Sequence, residues 1–69
     1  MTVRVPLAVL SGISAVRESG LTNMFDRGRV ADLSDELGYP RAAEWVRGHR
    51  AEYARGVFEG FEADEQGAQ

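Results

Sequence analysis

Sixty-nine residues make one domain at most, and the absence of cysteine excludes a disulfide framework or a thiolate metal site. The single histidine, His49, cannot build a zinc site alone, and no other residues show metal-ligand spacing. Eight arginines with no lysine stand against eleven acids, and the net charge of -3 weighs against non-specific nucleic-acid binding.

Met1 to Val5 reads as an arm. Pro6 suits the first turn of a helix, where its missing N–H costs nothing. Val9, Leu10, Ile13 and Val16 follow at spacings of three and four, with Ser11, Ser14 and Glu18 on the opposite side. Gly20 is a stop signal. The first expected helix is therefore 6–19, and Leu21 to Phe25 is a short connection.

Asp26 can cap the next helix, because its carboxylate can accept a free N–H of the first turn. Val30, Leu33 and Leu37 mark one face of this second helix, 27–37, and Gly38 closes it with Tyr39 folding back on the last turn. Pro40 opens a third helix reaching about Gly60. Ala42, Val46, His49, Tyr53 and Val57 share its core stripe, with Trp45 on the edge; Arg41, Glu44, Glu52, Arg55 and Glu59 share the opposite one. Glu52–Arg55 and Arg55–Glu59 have the spacing of favourable helical ion pairs. Gly48 and Gly56 are the weak points of this long helix. The expected fold is all-α: a three-helix domain over residues 1–60, with 61–69 as a frayed acidic tail. Residues 1–58 hold eight arginines against seven acids, whereas 59–69 hold Glu59, Glu62, Asp64 and Glu65 and no base.

A third stripe of the long helix, Ala43, Ala54, Phe58 and Phe61, lies away from the core face and is bordered by Arg47 and Arg50. Three short helices do not readily cover two apolar faces of one helix. Either the first helix wraps this side or the side is an interface. A chain this small buries only about 60% of its unfolded surface, so pairing with another copy is expected.

Support for catalysis is slight. Serines occur at 11, 14, 19 and 34, but nothing places a nucleophile beside a base and no G-x-S-x-G elbow occurs. The scattered glycines fit neither G-x-G-x-x-G nor G-x-x-x-x-G-K. The expectation is a non-enzyme without metal or cofactor. A helix-turn-helix is the best competitor: Leu33, Ser34, Leu37, Gly38 and Tyr39 resemble its first half. The second half wants apolar residues near 44 and 47, where this chain has Glu44 and Arg47, and a helix of about twenty residues is long for a recognition helix. No stretch reaches the roughly 18 apolar residues of a membrane span, and Val5 to Leu10 is too short for a signal core. The cytoplasm is the expected compartment, that of the host cell if the chain is phage-encoded.

One stretch is more specific than periodicity. Arg17-Glu18-Ser19-Gly20-Leu21-Thr22-Asn23-Met24-Phe25-Asp26, then Val30, the Leu37-Gly38-Tyr39 turn and His49-Arg50-Ala51-Glu52-Tyr53, resemble a family of small phage and prophage proteins catalogued only as a domain of unknown function. The likeness spans about residues 9–60; Pro40, the Trp45-Val46 pair and the acidic tail depart from it. The resemblance implies a phage or prophage accessory protein and supplies no activity. Residues 17–26 also have a reading of their own. Met24 and Phe25 plug the corner between two helices and Arg17 pairs with Asp26, or else Arg17, Asn23 and Asp26 form a polar pocket for an anion at a helix N-terminus.

These observations lead to a binding protein that occupies or inhibits a host protein and self-associates. Two alternatives are an oligomeric sponge for a nucleotide-type, anionic signalling molecule and a DNA-binding regulator; a hydrolase comes last. The candidate binding residues are Arg47, Arg50, Phe58, Phe61, Arg17, Asn23 and Asp26.

Overall fold

Pro6 divides the N-terminal segment into two kinds of structure. Before it, Val3-Arg4-Val5 alternates apolar and polar side chains and forms strand β1 (Val3–Val5); after it, helix α1 runs Leu7–Ser19. The computed structural model describes residues 1–64. Beyond α1 come α2 (Arg27–Glu36), α3 (Pro40–Gly48), α4 (Arg50–Glu59) and a second strand, β2 (Phe61–Ala63). The protein is thus mostly helical, as its periodicities imply, but it carries four helices and a two-stranded parallel sheet where three helices were expected.

The arm and the start of the tail are the two strands. Val3 pairs with Phe61, Arg4 with Glu62 and Val5 with Ala63. Val3 and Val5 are buried in the core while Arg4 points out, 3.8 Å from Glu62. Two strands alone are marginal in water, so this sheet holds only because its apolar side lies on the helices. Gly60, at φ 96, makes the turn from α4 into β2 and accepts the Val3 N–H at 2.9 Å. The remainder of the expected acidic tail, 65–69, lies outside the described residues.

The helix expected to run from Pro40 to about Gly60 is two helices. It breaks after Gly48 at His49, whose φ of -127 and ψ of 60 leave the helical region. A break strands the last carbonyls of the first segment, and three of these find partners individually. The Trp45 carbonyl accepts the His49 N–H at 2.9 Å, and the Arg27 guanidinium donates to the carbonyls of Val46 and Arg47, each at 3.1 Å. The consequence is a change of phase between α3 and α4. Ala42, Ala43 and Val46 are buried from α3, whereas Tyr53 and Gly56 are the buried positions of α4.

Gly12 sets the distance at which α1 packs on α3. A Cβ on Gly12 would stand 2.3 Å from the Ala42 Cβ and 2.8 Å from that of Tyr39, so α1 reaches α3 only with glycine there. The core gathers Val3, Val5, Val9, Ile13, Val16, Val30, Ala31, Leu33, Val46 and Tyr53 around these contacts. No helix among the described residues is long and apolar enough to cross a membrane.

Candidate interaction surface

The Asn23-Met24-Phe25-Asp26 segment is organised by its own polar side chains. Asn23 Oδ1 accepts the Phe25 N–H at 2.8 Å, a local turn typical of asparagine. The Asp26 N–H bonds the Asn23 carbonyl at 2.9 Å, and Asp26 Oδ1 accepts the Arg29 N–H at 3.2 Å as the N-cap of α2. The remaining anchor comes from far along the chain. The Tyr53 hydroxyl donates to the Met24 carbonyl at 2.5 Å. Tyr53 is 2% exposed, and burial, reinforced by the Asp26 charge and opposed by Arg17, pushes its hydroxyl up to about 12. It therefore stays a neutral donor across all ordinary pH.

That anchoring sends two neighbouring side chains opposite ways. Met24 packs half-buried on the core, but Phe25 is 62% exposed, so only Met24 plugs the corner. Phe25 meets Phe58 of α4 edge to face, ring centroids 5.3 Å apart, and Phe58 is itself 78% exposed. Such a pair is worth about 0.5–1.5 kcal/mol when buried, but here both rings remain in water. With the inward side of α4 occupied by Tyr53, Gly56 and Val57, its outer side carries Ala51, Ala54, Arg55 and Phe58, all exposed.

The expected third stripe is therefore split by the break at His49. Ala43 is fully buried. Phe61 is also inward: its ring covers Gly56, where a Cβ would stand 2.1 Å from Cε1, and lies 5.8 Å from the Tyr53 ring and 6.1 Å from that of Trp45. Only Ala54 and Phe58 remain outside. Helix α1 does not wrap this side; it packs on α2 and α3, while α4 lies on β1 and α3.

The charged candidates separate in the same way. Arg47 bonds Asp35 at 2.9 Å and Asp32 at 3.0 Å, and these two carboxylates raise its pKa further. It is tied to α2. Arg50 opens α4, exposed, and its guanidinium makes no hydrogen bond or ion pair among the described residues. Arg17 is exposed and does not pair with Asp26, whose carboxylate caps α2; Asn23 is likewise spent on the turn. Of the two readings of this corner, Asn23 and Asp26 take up the structural one, as a turn and a helix cap, and Arg17 acts electrostatically on Tyr53.

One feature went unseen in the sequence. Trp45 and His49, one helical turn apart, stack at 4.7 Å, and the His49 Nδ1–H donates to the Trp45 carbonyl at 2.9 Å. The proton belongs on Nδ1 because a carbonyl can only accept. Together with Pro6, Val9, Arg41 and Glu44 they line a shallow cavity of about 130 Å³. Phe25 was misread as a corner plug, since nothing local distinguishes an inward from an outward aromatic beside a cap.

Residues 8–60 match a family described as a domain of unknown function, DUF5049. No curated protein and no solved structure matches the chain.

Proposed function

We propose, for a chain that belongs to the DUF5049 family, a non-enzymatic accessory protein of phage or prophage type that acts by presenting the 21–26 loop and the outer side of α4 to another protein. The single observation that carries this reading is the Phe25–Phe58 pair, two phenylalanines held edge to face outside the core at 62% and 78% exposure. A water-exposed aromatic pair is costly to keep unless it is covered in use, and aromatic side chains are typical anchors of protein interfaces. The loop that carries Phe25 is braced by Tyr53, so little ordering remains to be lost on binding.

The two alternatives draw less support. A nucleotide needs a site of about 300–1,000 Å³, which the cavity of about 130 Å³ beside Trp45 does not supply by itself. The break at His49 removes the length objection to a recognition helix, but Arg47 is held by Asp32 and Asp35, and Glu44 stays on the exposed side of α3.

The test is capture from a host lysate on immobilised wild type, Phe25→Ser and Phe58→Glu, followed by reconstitution with each purified captured protein. A partner that binds wild type and loses about tenfold or more affinity to both variants, while their helical circular dichroism is unchanged, supports the reading. Equal binding to all three proteins refutes it.

A further inference from the structure

We propose that the α3–α4 junction is a hinge held bent by Arg27, and that closing it into one helix lets α4 and β2 change places with those of a second copy of the chain. The junction lacks little of a continuous helix. The His49 N–H reaches the Trp45 carbonyl at 2.9 Å and the Tyr53 N–H reaches the His49 carbonyl at 2.8 Å, each four residues back. Missing are the three bonds between them, from the N–H groups of Arg50, Ala51 and Glu52 to the carbonyls of Val46, Arg47 and Gly48; none of these forms among the described residues. Two of the three carbonyls, those of Val46 and Arg47, accept from the Arg27 guanidinium at 3.1 Å instead. Arg27 thus stands in for the N–H groups of Arg50 and Ala51.

Closing the break moves α4 and leaves α3 in place. Ala42, Ala43 and Val46 hold α3 in the core, and Arg47 ties it to Asp32 and Asp35 of α2. The ψ of His49 turns from 60 to the helical value near -42°, by about 100°. Helix α4 has ten residues and so extends about 15 Å past that point. A turn of this size carries its far end, and β2 with it, off β1.

The place they leave fits one occupant. Strand β1, the Met24 carbonyl and the core face that receives Tyr53 and Phe61 are shaped to an α4–β2 arm, and a second copy supplies the same arm. Exchange remakes the contacts of the arm between chains; the Phe25–Phe58 pair, dispersed within a chain, is rebuilt across the two. The closed monomer and the exchanged dimer then differ at the hinge and in the entropy of association. The balance rests on Arg27. With it, the bent form keeps two of the three carbonyls bonded; without it, only the straight form does.

A disulfide trap reads the exchange directly, because the chain has no cysteine of its own. Arg4 and Glu62 are exposed register partners of β1 and β2, about 4.8 Å apart between Cα atoms in a parallel pair, within disulfide range. In the parent R4C/E62C the bond closes within a chain in the monomer and between chains after exchange. Each protein is incubated reduced at about 1 mM, diluted to about 1 μM, oxidised at once and run on a non-reducing denaturing gel. The parent should give mainly monomer, and adding Arg27→Ala should raise the covalent dimer about tenfold or more. Arg50→Pro should then remove that dimer: a proline suits the first position of α4, but in a continuous helix it lacks the N–H and its ring meets the Val46 carbonyl. Circular dichroism checks folding. If Arg27→Ala unfolds the chain, Gly48→Ala replaces it; its added helix propensity should raise the dimer about two- to fivefold, again reversed by Arg50→Pro. No increase with the folded member of this pair overturns the hinge, as does a dimer that Arg50→Pro leaves intact. A protein that sediments as a dimer before oxidation yet gives only the monomer band associates without exchange, and the proposal is then wrong.

Discussion

Replacing Tyr53 by phenylalanine removes one oxygen atom and separates its two consequences by pH. At neutral pH the substitution deletes the hydrogen bond to the Met24 carbonyl, the long-range polar anchor of the 21–26 loop. A net hydrogen bond contributes about 0.5–1.5 kcal/mol, and the orphaned carbonyl adds to the loss as far as water cannot reach it. The site is partly buried, so the expected cost is about 1–2 kcal/mol, read as a fall in Tm of about 4–8 °C for each kcal/mol in a domain of this size. At high pH the sign reverses. The Tyr53 hydroxyl is raised from 10.0 to about 12 because burial disfavours its charged form. A raised value means that the folded state holds the proton more tightly, so the contribution is complete below pH 10 and is lost as pH climbs through 12. A difference of about two pH units corresponds to about 2–3 kcal/mol. Urea unfolding of wild type at pH 7 to 12 should show that decline above pH 10, and Tyr53→Phe, less stable at pH 7, should lack this component and approach or overtake wild type at the alkaline end. Equal stability at pH 7 together with an identical alkaline decline would refute the assignment of Tyr53 as the loop's anchor.

Three further outcomes follow from other contacts. Gly12→Ala should destabilise by about 1–3 kcal/mol, since the new Cβ meets Cβ atoms of Ala42 and Tyr39 that their backbones hold in place, whereas Gly48→Ala, with nothing within 4 Å, should be neutral or raise stability by up to about 1 kcal/mol; urea midpoints of the two compare them directly. Arg27→Ala should cost about 1.5–3 kcal/mol, because the Val46 and Arg47 carbonyls lose a charged donor, and hydrogen exchange should quicken first at the α3–α4 junction. Binding to random duplex DNA at about 0.15 M salt should be weaker than about 100 μM by anisotropy, and a tight sequence-dependent complex would revive the helix-turn-helix.

What was legible in the sequence is what local chemistry decides. Gly20 ends α1 in the left-handed region at φ 67, Asp26 caps α2, and Gly38, at φ 93, follows its end, all within a residue of expectation, because caps and left-handed glycines act over three or four residues. The strands were not legible. Three residues of alternation carry no usable period, and Val3 pairs with a residue fifty-eight positions away, so neither strand has a local cause.

The candidate surface failed at one intermediate point. Gly48 reads as a weak point in a long helix, but a glycine alone does not say whether the helix tolerates it or breaks. Arg27, twenty-one residues upstream, decides that by supplying a donor to the carbonyls that a break strands. Once the phase changes at His49, a stripe that looked continuous becomes two sets: Ala43 and Phe61 turn inward, Ala54 and Phe58 stay outside. Phe25 is then drawn beside Phe58 because Tyr53, on the inner side of the same short helix, holds the carbonyl of the preceding residue. The exposed aromatic pair is therefore a joint product of a helix break and a tyrosine anchor, neither of which lies within the segment it positions. Any change that closes the break, or cuts the anchor, should disperse the pair before it unfolds the core.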